Sequence, residues 1–169
     1  ELTKVIQYME HKLNQTGVEV RLGCEVTKEM LETEFAGYEV IASTGATPLV
    51  VDAFTGFQHC VTADDILAGK EFAGRKVVVI GGGSVGCETA DYLAPLVNDL
   101  FPRNREIILL EMAEGIMLQE SGPGRSLLVQ RMMKKGVEMH CKAKVERVES
   151  DKIYYTQNGE MHCIEDADT

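Results

Sequence analysis

The residues of this chain best suited to bind a small molecule are Gly81-Gly82-Gly83-Ser84-Val85-Gly86 and the acid Glu111. A G-x-G-x-x-G spacing alone is a weak signal, but this one follows an apolar run, Lys76 to Ile80, and opens a helical pattern on Val85, Thr89, Tyr92 and Leu96. A strand, a glycine turn and a helix in that order form the first half of a nucleotide-binding βαβ unit. Gly81 permits the tight turn. Gly83 lets backbone N–H groups approach a pyrophosphate with no Cβ in the way, and Gly86 lets helix and strand pack closely. A pyrophosphate placed there meets the unpaired N–H groups and the dipole of a helix N-terminus. Glu111 ends the next apolar run, where a carboxylate can accept hydrogen bonds from ribose hydroxyls. Met112 follows it and joins the expected contact set. The pattern therefore predicts a site for the ADP part of a dinucleotide, and Glu111 favours NAD(H) over NADP(H). A 2′-phosphate about 4 Å from this acid would meet repulsion of up to about 4 kcal/mol per unit charge at a surface-like dielectric. No Arg or Lys lies between Met112 and Ser121 to offset it. Two alternatives remain: a glycine-rich turn with no ligand, and a methyltransferase loop. The latter usually carries an acid just before its first glycine, where Val79 and Ile80 stand here.

The elements that must position these residues are legible in outline. A helix is expected from about 2 to 15 on Leu2, Val5, Ile6, Met9 and Leu13, with Gly17 as its stop. Alternation of Val18, Val20 and Leu22 with polar neighbours predicts a strand, and Tyr38 to Ser43 a second, more buried one. From Thr44 to Gly74 glycines and Pro48 break the pattern, as in a linker. Strands at Val77 to Ile80 and Ile107 to Glu111 then flank the first helix of the β, α, β unit. A further helix carries Leu128, Val129, Met132 and Met133, ends at Gly136 and leads into Val137 to His140; three strand-like runs close the chain. The Pro95 to Arg105 stretch should end or kink the first helix of the unit. Gly17-Val18-Glu19-Val20 and Gly136-Val137-Glu138-Met139 each follow a helix, an echo that hints at two similar units.

The bulk composition narrows the class. With 169 residues and 44 % hydrophobic composition the chain can fold as one domain, or one domain with part of a second. A net charge of −10 opposes polyanionic partners, so neither nucleic acid nor an anionic membrane is expected. The apolar runs fall far below the roughly 20 residues of a membrane span. Five cysteines without a CxxC pair fit a reducing compartment, and a cytoplasmic location is expected. The chain opens at Glu1 with no signal-like segment, the pattern expected of a piece of something longer.

Other reactive side chains read as structural. Cys87, in the first turn of the expected helix, sits where a thiol pKa can fall, but without a second cysteine at redox spacing it reads as a buried small hydrophobe. His140-Cys141 and His162-Cys163 repeat the tetrapeptide Glu-Met-His-Cys and invite a metal hypothesis. Adjacent strand residues point to opposite faces, however, so each pair converges poorly on one ion and no metal is expected. The Met132-Met133 pair fits a helix packed on a sheet. His11 and His59 belong to no recognisable constellation.

Read as VVVIGGGSVGCETA, residues 77 to 90 resemble the NADH-binding domain of the pyridine-nucleotide-linked flavoprotein reductases. GVEVRLGCEVT at 17 to 27, STGATP at 43 to 48 and VTADDILAG at 61 to 69 narrow the resemblance to the carboxy-terminal region of NADH:flavin oxidoreductases of the 2-enoate and 2,4-dienoyl-CoA reductase type. That resemblance covers nearly the whole chain. It implies a multidomain parent carrying FMN, FAD and an iron–sulfur cluster, none of them expected to be held by this chain alone, with the remaining parent domains and NADH as partners. It also implies that residues 1–48 are part of an FAD domain, 49–74 a linker, and 75–169 an NAD(H)-binding domain lacking its final strand. Glu88 matches a carboxylate near the nicotinamide in that family, hydride passes from NADH to FAD, and no residue here need act as acid or base. The isolated chain is expected to be inactive. A related possibility is a module that holds ADP without using NADH; a disulfide reductase is disfavoured by the missing cysteine pair.

The expected fold is α/β and Rossmann-like, in three layers: a central parallel sheet, helices on both faces, and an antiparallel β-meander from about 144 to 164. With the last strand missing, Tyr38 to Gly45 is a candidate to fill the edge beside Val77 to Ile80.

Overall fold

The computed structural model describes residues 2–47, 53–95 and 105–169. The chain divides into two units, Glu1–Gly45 and Ala46–Thr169. The expectations on Pro48, Leu96 and Pro102 lie outside the described residues.

In the first unit the helical spacing of Val5, Ile6, Met9 and Leu13 gives α1, Leu2–Thr16. It is stopped by Gly17 at φ +69°, while Thr16 Oγ1 donates to the Lys12 and Leu13 carbonyls. Thr27 caps a short α2, Lys28–Glu32, by accepting from the Met30 N–H. Arg21 pairs with Glu19 and Glu34, and Phe35 meets Tyr38 edge-on. The strands expected at Val18 to Leu22 and Tyr38 to Ser43 do not form. Alternation supplies only a face for burial. A strand also needs a neighbour for its backbone N–H and C=O groups, and among the described residues neither segment has one.

The second unit is built outward from its sheet. Thr62 caps α3, Ala63–Leu67, with its hydroxyl. Then come β1, Lys76–Ile80, α4, Ser84–Leu93, and β2, Glu106–Leu110. They are followed by α5, Pro123–Lys134, with proline in its first turn, and β3, Glu138–His140. Strands β1 and β2 pair in parallel from Lys76↔Glu106 to Ile80↔Leu110, and β3 extends the order to β1-β2-β3. Helix α4 ends at Leu93 because Ala94 already has the extended backbone required of a residue before proline. Arg105 fixes that corner by donating to the carbonyls of Gly74 and Ala73 at 2.8 and 3.1 Å and, at 3.4 Å, of Leu93.

Period-two alternation sorts the sheet's side chains between two cores. Val77, Ile107 and Leu109 join Cys87, Ala90, Leu93, Leu128 and Met132 on the helix side, where Ile66 of α3 also lies. Ile108 and Leu110 face the other way, onto the meander β4, Ala143–Val148, β5, Ile153–Gln157, and β6, Glu160–Ile164. The result is three layers, helices, parallel sheet and meander. Among the described residues the second face carries the meander rather than the helices expected there, its core residues being Ala143, Val145, Val148, Ile153 and Tyr155. Asn158 and Gly159, both at positive φ, turn β5 into β6 as a two-residue hairpin loop requires.

The edge of β1 at Lys76 to Val78 is met within the second unit by residues 168 and 169. The Val78 N–H donates to the Thr169 carbonyl at 2.9 Å, and the Thr169 N–H returns to Lys76 at 3.3 Å. This is the start of a parallel ladder opposite Val77. Asp168 secures it by accepting from the Arg75 and Lys76 N–H groups at 2.9 and 2.7 Å. The last residues of the chain therefore occupy the position for which Tyr38 to Gly45 was a candidate. Among the described residues no helix is long and apolar enough to cross a membrane.

One polar clamp ties the two long helices of this unit together. Asp91 on α4 accepts from Arg131 at 2.8 Å and pairs at 3.1 Å with Lys135, whose side chain is only 8 % exposed. Desolvation alone would raise the Asp91 carboxyl, but hydrogen bonds from Arg131 and Lys135 outweigh it and hold the group below its ordinary value. A pKa lowered by folding stabilises the fold fully above the unfolded value near 3.9, and that contribution is lost as pH falls through the folded value. Asp91→Asn is therefore expected to cost about 1 to 3 kcal/mol in urea unfolding at neutral pH, because Lys135 loses its counter-charge. The variant and parent should converge toward about pH 2. A gap unchanged in acid would contradict this role.

Candidate functional site

The carboxyl ends of β1 and β2 lie side by side, which places the glycine loop next to Glu111. Gly81 adopts φ +105°, a conformation that excludes other residues, and its N–H donates to the Leu110 carbonyl at 2.8 Å. A Cβ on Gly86 would lie 1.9 Å from the Gly81 carbonyl oxygen, so helix and loop touch there without room for any side chain. Gly83, the N-cap of α4, is the opposite case: an added Cβ would meet nothing within 4 Å. Its exposed face fronts the first turn of a ten-residue helix, whose leading N–H groups have no acceptor within the helix. Gly82 has a role that spacing did not reveal. A Cβ on it would come within 2.9 Å of Glu111 Cβ.

Glu111 is held at its backbone and its carboxylate. Its N–H donates to the His140 carbonyl, and its own carbonyl accepts from Ala143. Its carboxylate takes the Gly82 N–H at 2.5 Å on one oxygen and the Ala113 N–H at 2.7 Å on the other. The acid therefore braces the glycine loop against the loop that follows β2. Met112, beside it, is exposed at 71 %.

The loop after β2 folds back over the glycine turn, a contact with no signal in the sequence. The Met117 N–H donates to the Gly82 carbonyl at 2.7 Å, Ser84 Oγ donates to Glu120 at 2.7 Å, and Arg125 Nε holds the Ile116 carbonyl at 2.9 Å. Between this loop, α4 and α5 opens a cleft of about 430 Å³ lined by Ser84, Glu88, Met117, Glu120, Arg125 and Leu128, among others. Glu88 is exposed at its wall, and Val85 lies exposed one helical turn before Thr89, which bonds back to it. The structure thus brings Gly81 to Gly86, Glu88, Glu111 and Met112 to one end of the sheet.

Cys87 is fully buried and its Sγ contacts the Gly82 carbonyl at 3.4 Å. Burial, with the charges of Glu111, Glu88 and Cys141, pushes its thiol up to about 11. The helix N-terminus does not make this cysteine reactive; desolvation wins. Both histidines of the two His-Cys pairs meet the Tyr155 ring, His140 tilted with centroids 6.0 Å apart. His140 bonds to Glu138, His162 stacks on Tyr155 at 5.2 Å, Cys163 is exposed, and Cys141 is half-buried. Among the described residues no group of three or more His, Cys, Asp or Glu could hold a metal ion.

The sequence profile of the pyridine nucleotide-disulphide oxidoreductase family matches residues 29–169. Cinnamate reductase of Clostridium sporogenes is 28% identical over 164 residues, covering 95% of this chain and 23% of that protein. NADH oxidase of Thermoanaerobacter brockii is 33% identical over 134 residues, or 77% of this chain and 20% of that protein. The chain therefore spans about a quarter or less of the length of these relatives. Among solved structures, a 2-naphthoyl-CoA reductase in complex with 2-naphthoyl-CoA superposes with a TM-score of 0.73 at 20% identity, covering 98% of this chain and 24% of that one. That likeness supports the Rossmann-like arrangement.

Two measurements follow from this geometry. Gly86→Ala forces a Cβ onto a carbonyl oxygen and is expected to cost about 2 kcal/mol or more, whereas Gly83→Ala should leave the unfolding midpoint within about 0.5 kcal/mol of the parent. Equal effects of the two would contradict the close approach. In native protein at about pH 8, iodoacetamide should label exposed Cys24 and Cys163 while Cys87 stays unmodified by peptide mass spectrometry.

Proposed function

The chain belongs to the pyridine nucleotide-disulphide oxidoreductase family, and from that premise we propose that residues 75–169 hold NAD(H) for a flavin-dependent reductase. The observation that carries the proposal is the contrast within one loop. Gly86 is closed against Gly81, while Gly83 is open in front of the first turn of α4. The closed glycine sets the loop's shape, and the open one leaves room for a pyrophosphate against N–H groups that need an anion. Glu111, with Met112 beside it, is assigned to the adenosine ribose. The cleft beside Ser84 and Glu88 is assigned to the nicotinamide end.

The residues present fit the dinucleotide, which when bound supplies the hydride. The chain's own contribution is to bind and orient it, and none of these residues need move a proton. The intact protein is assigned to the NADH:flavin oxidoreductases, with FAD, FMN and an iron–sulfur cluster held elsewhere. Residues 1–48 would be part of its FAD domain and 49–74 a linker whose Phe54, Cys60 and Ile66 pack onto the cores of the second unit. A substrate of the enoate or unsaturated acyl class is supported by 28% identity to cinnamate reductase along 95% of this chain. In this reading the partners are NADH and the parent's remaining domains.

Calorimetric titration tests the cofactor assignment. NADH should bind about tenfold to a thousandfold more tightly than NADPH, and Glu111→Ala should abolish that preference, since the acid's charge creates it. Equal affinity for NADH and ADP would assign the site to nucleotide holding instead. The purified chain without added flavin should oxidise no NADH in an absorbance assay; turnover would place the chemistry within this chain.

A further inference from the structure

We propose that Glu120 is the site's built-in competitor, a carboxylate seated where the phosphates of an incoming nucleotide are to bind, so that binding proceeds by exchange of one anion for another. The proposal rests on the nucleotide reading above and deepens it. Ser84 is the first residue of α4, and its hydroxyl donates to Glu120 Oε1 at 2.7 Å. A negative side chain is favourable at that end of a helix for the same reason that a phosphate is. The two therefore want the same place.

The segment that delivers Glu120 is buried at its base and exposed at its tip. Ile116 and Met117 are buried in the helix-side core. The Met117 N–H is held by the Gly82 carbonyl, and Arg125 holds the Ile116 carbonyl. Met117 takes φ +52°, an uncommon left-handed backbone for a methionine, which reverses the chain so that the Glu120 N–H returns to the Met117 carbonyl at 3.1 Å. Glu120 itself is exposed, and among the described residues no Lys or Arg forms an ion pair with its carboxylate. The Ser84 hydroxyl holds it, and that bond can be given up to a ligand with more charge. Glu111 differs, because its two oxygens are tied to two backbone N–H groups and its task lies at the ribose end.

Competition of this kind makes removal of a site residue tighten binding. Glu120→Gln keeps the size and an acceptor for Ser84 but removes the charge; Glu120→Ala removes both. Titrated calorimetrically into the full chain, ADP and NADH should bind both variants roughly threefold to tenfold more tightly than the parent, with adenosine, which has no phosphate, unchanged. The gain should shrink at about 1 M salt, where the screening length falls to about 3 Å. ADP affinity unchanged in both variants, with the parent still binding, would overturn the competitor role and leave the nucleotide site intact. Adenosine tightening as much as ADP would also overturn it, since charge would then not be the cause. Failure of parent and variants alike to bind ADP or NADH would remove the nucleotide reading and this proposal together.

Discussion

Helix α4 starts almost against the end of β1, and everything at the candidate site depends on how closely the two can approach. At Gly86 the helix lies so near the Gly81 carbonyl that a methyl group would stand 1.9 Å from its oxygen. That approach aims the first turn of α4 across the end of the sheet and leaves Gly83 facing open space. The Gly81 turn completes the geometry, its N–H reaching across to Leu110 at the end of β2. Parallel pairing of β1 with β2 then sets Glu111 one residue past Leu110, beside the loop. A bulkier residue at Gly86 would push the helix away from the loop, whereas at Gly81 the cost is the positive φ rather than a clash.

The same end of the sheet concentrates negative charge. Glu88, Glu111 and Glu120 all border it, and Glu111 and Cys141 with Glu88 add to the burial that keeps the Cys87 thiol protonated. Two of these acids are occupied with the protein's own donors, Glu111 with the Gly82 and Ala113 N–H groups and Glu120 with Ser84. The loop is thereby braced at Gly82 and at Ser84. The two bonds to Glu111 fix the loop in place, which lowers the conformational cost of binding there.

Local patterns in the sequence made much of this legible. The order β, α, β, the glycine spacing, the helix over Leu128 to Met133 and the closing meander all express short-range periodicity, and all are present. What escaped was set by distant partners. Val18 to Leu22 alternates correctly yet forms no strand, because alternation says nothing about whether a neighbouring strand exists. Thr169 could not be foreseen beside Val77, since a ladder of one residue has no period. Glu120 reaches the site through a loop whose path is fixed by the left-handed Met117, and nothing in residue type marks that turn. Gly82 was visible as part of the motif, but its need to clear Glu111 depends on the sheet register.

The central claim, that the glycine loop and Glu111 form one anion-and-ribose site, is tested most directly by titrating ADP into ¹⁵N-labelled chain and following backbone amides. The account predicts the largest shifts at Gly82, Gly83, Ser84 and Val85, with a second group at Glu111 to Ala113 and little change across β4 to β6. Shifts confined to other surfaces, or none at saturating ADP, would contradict it.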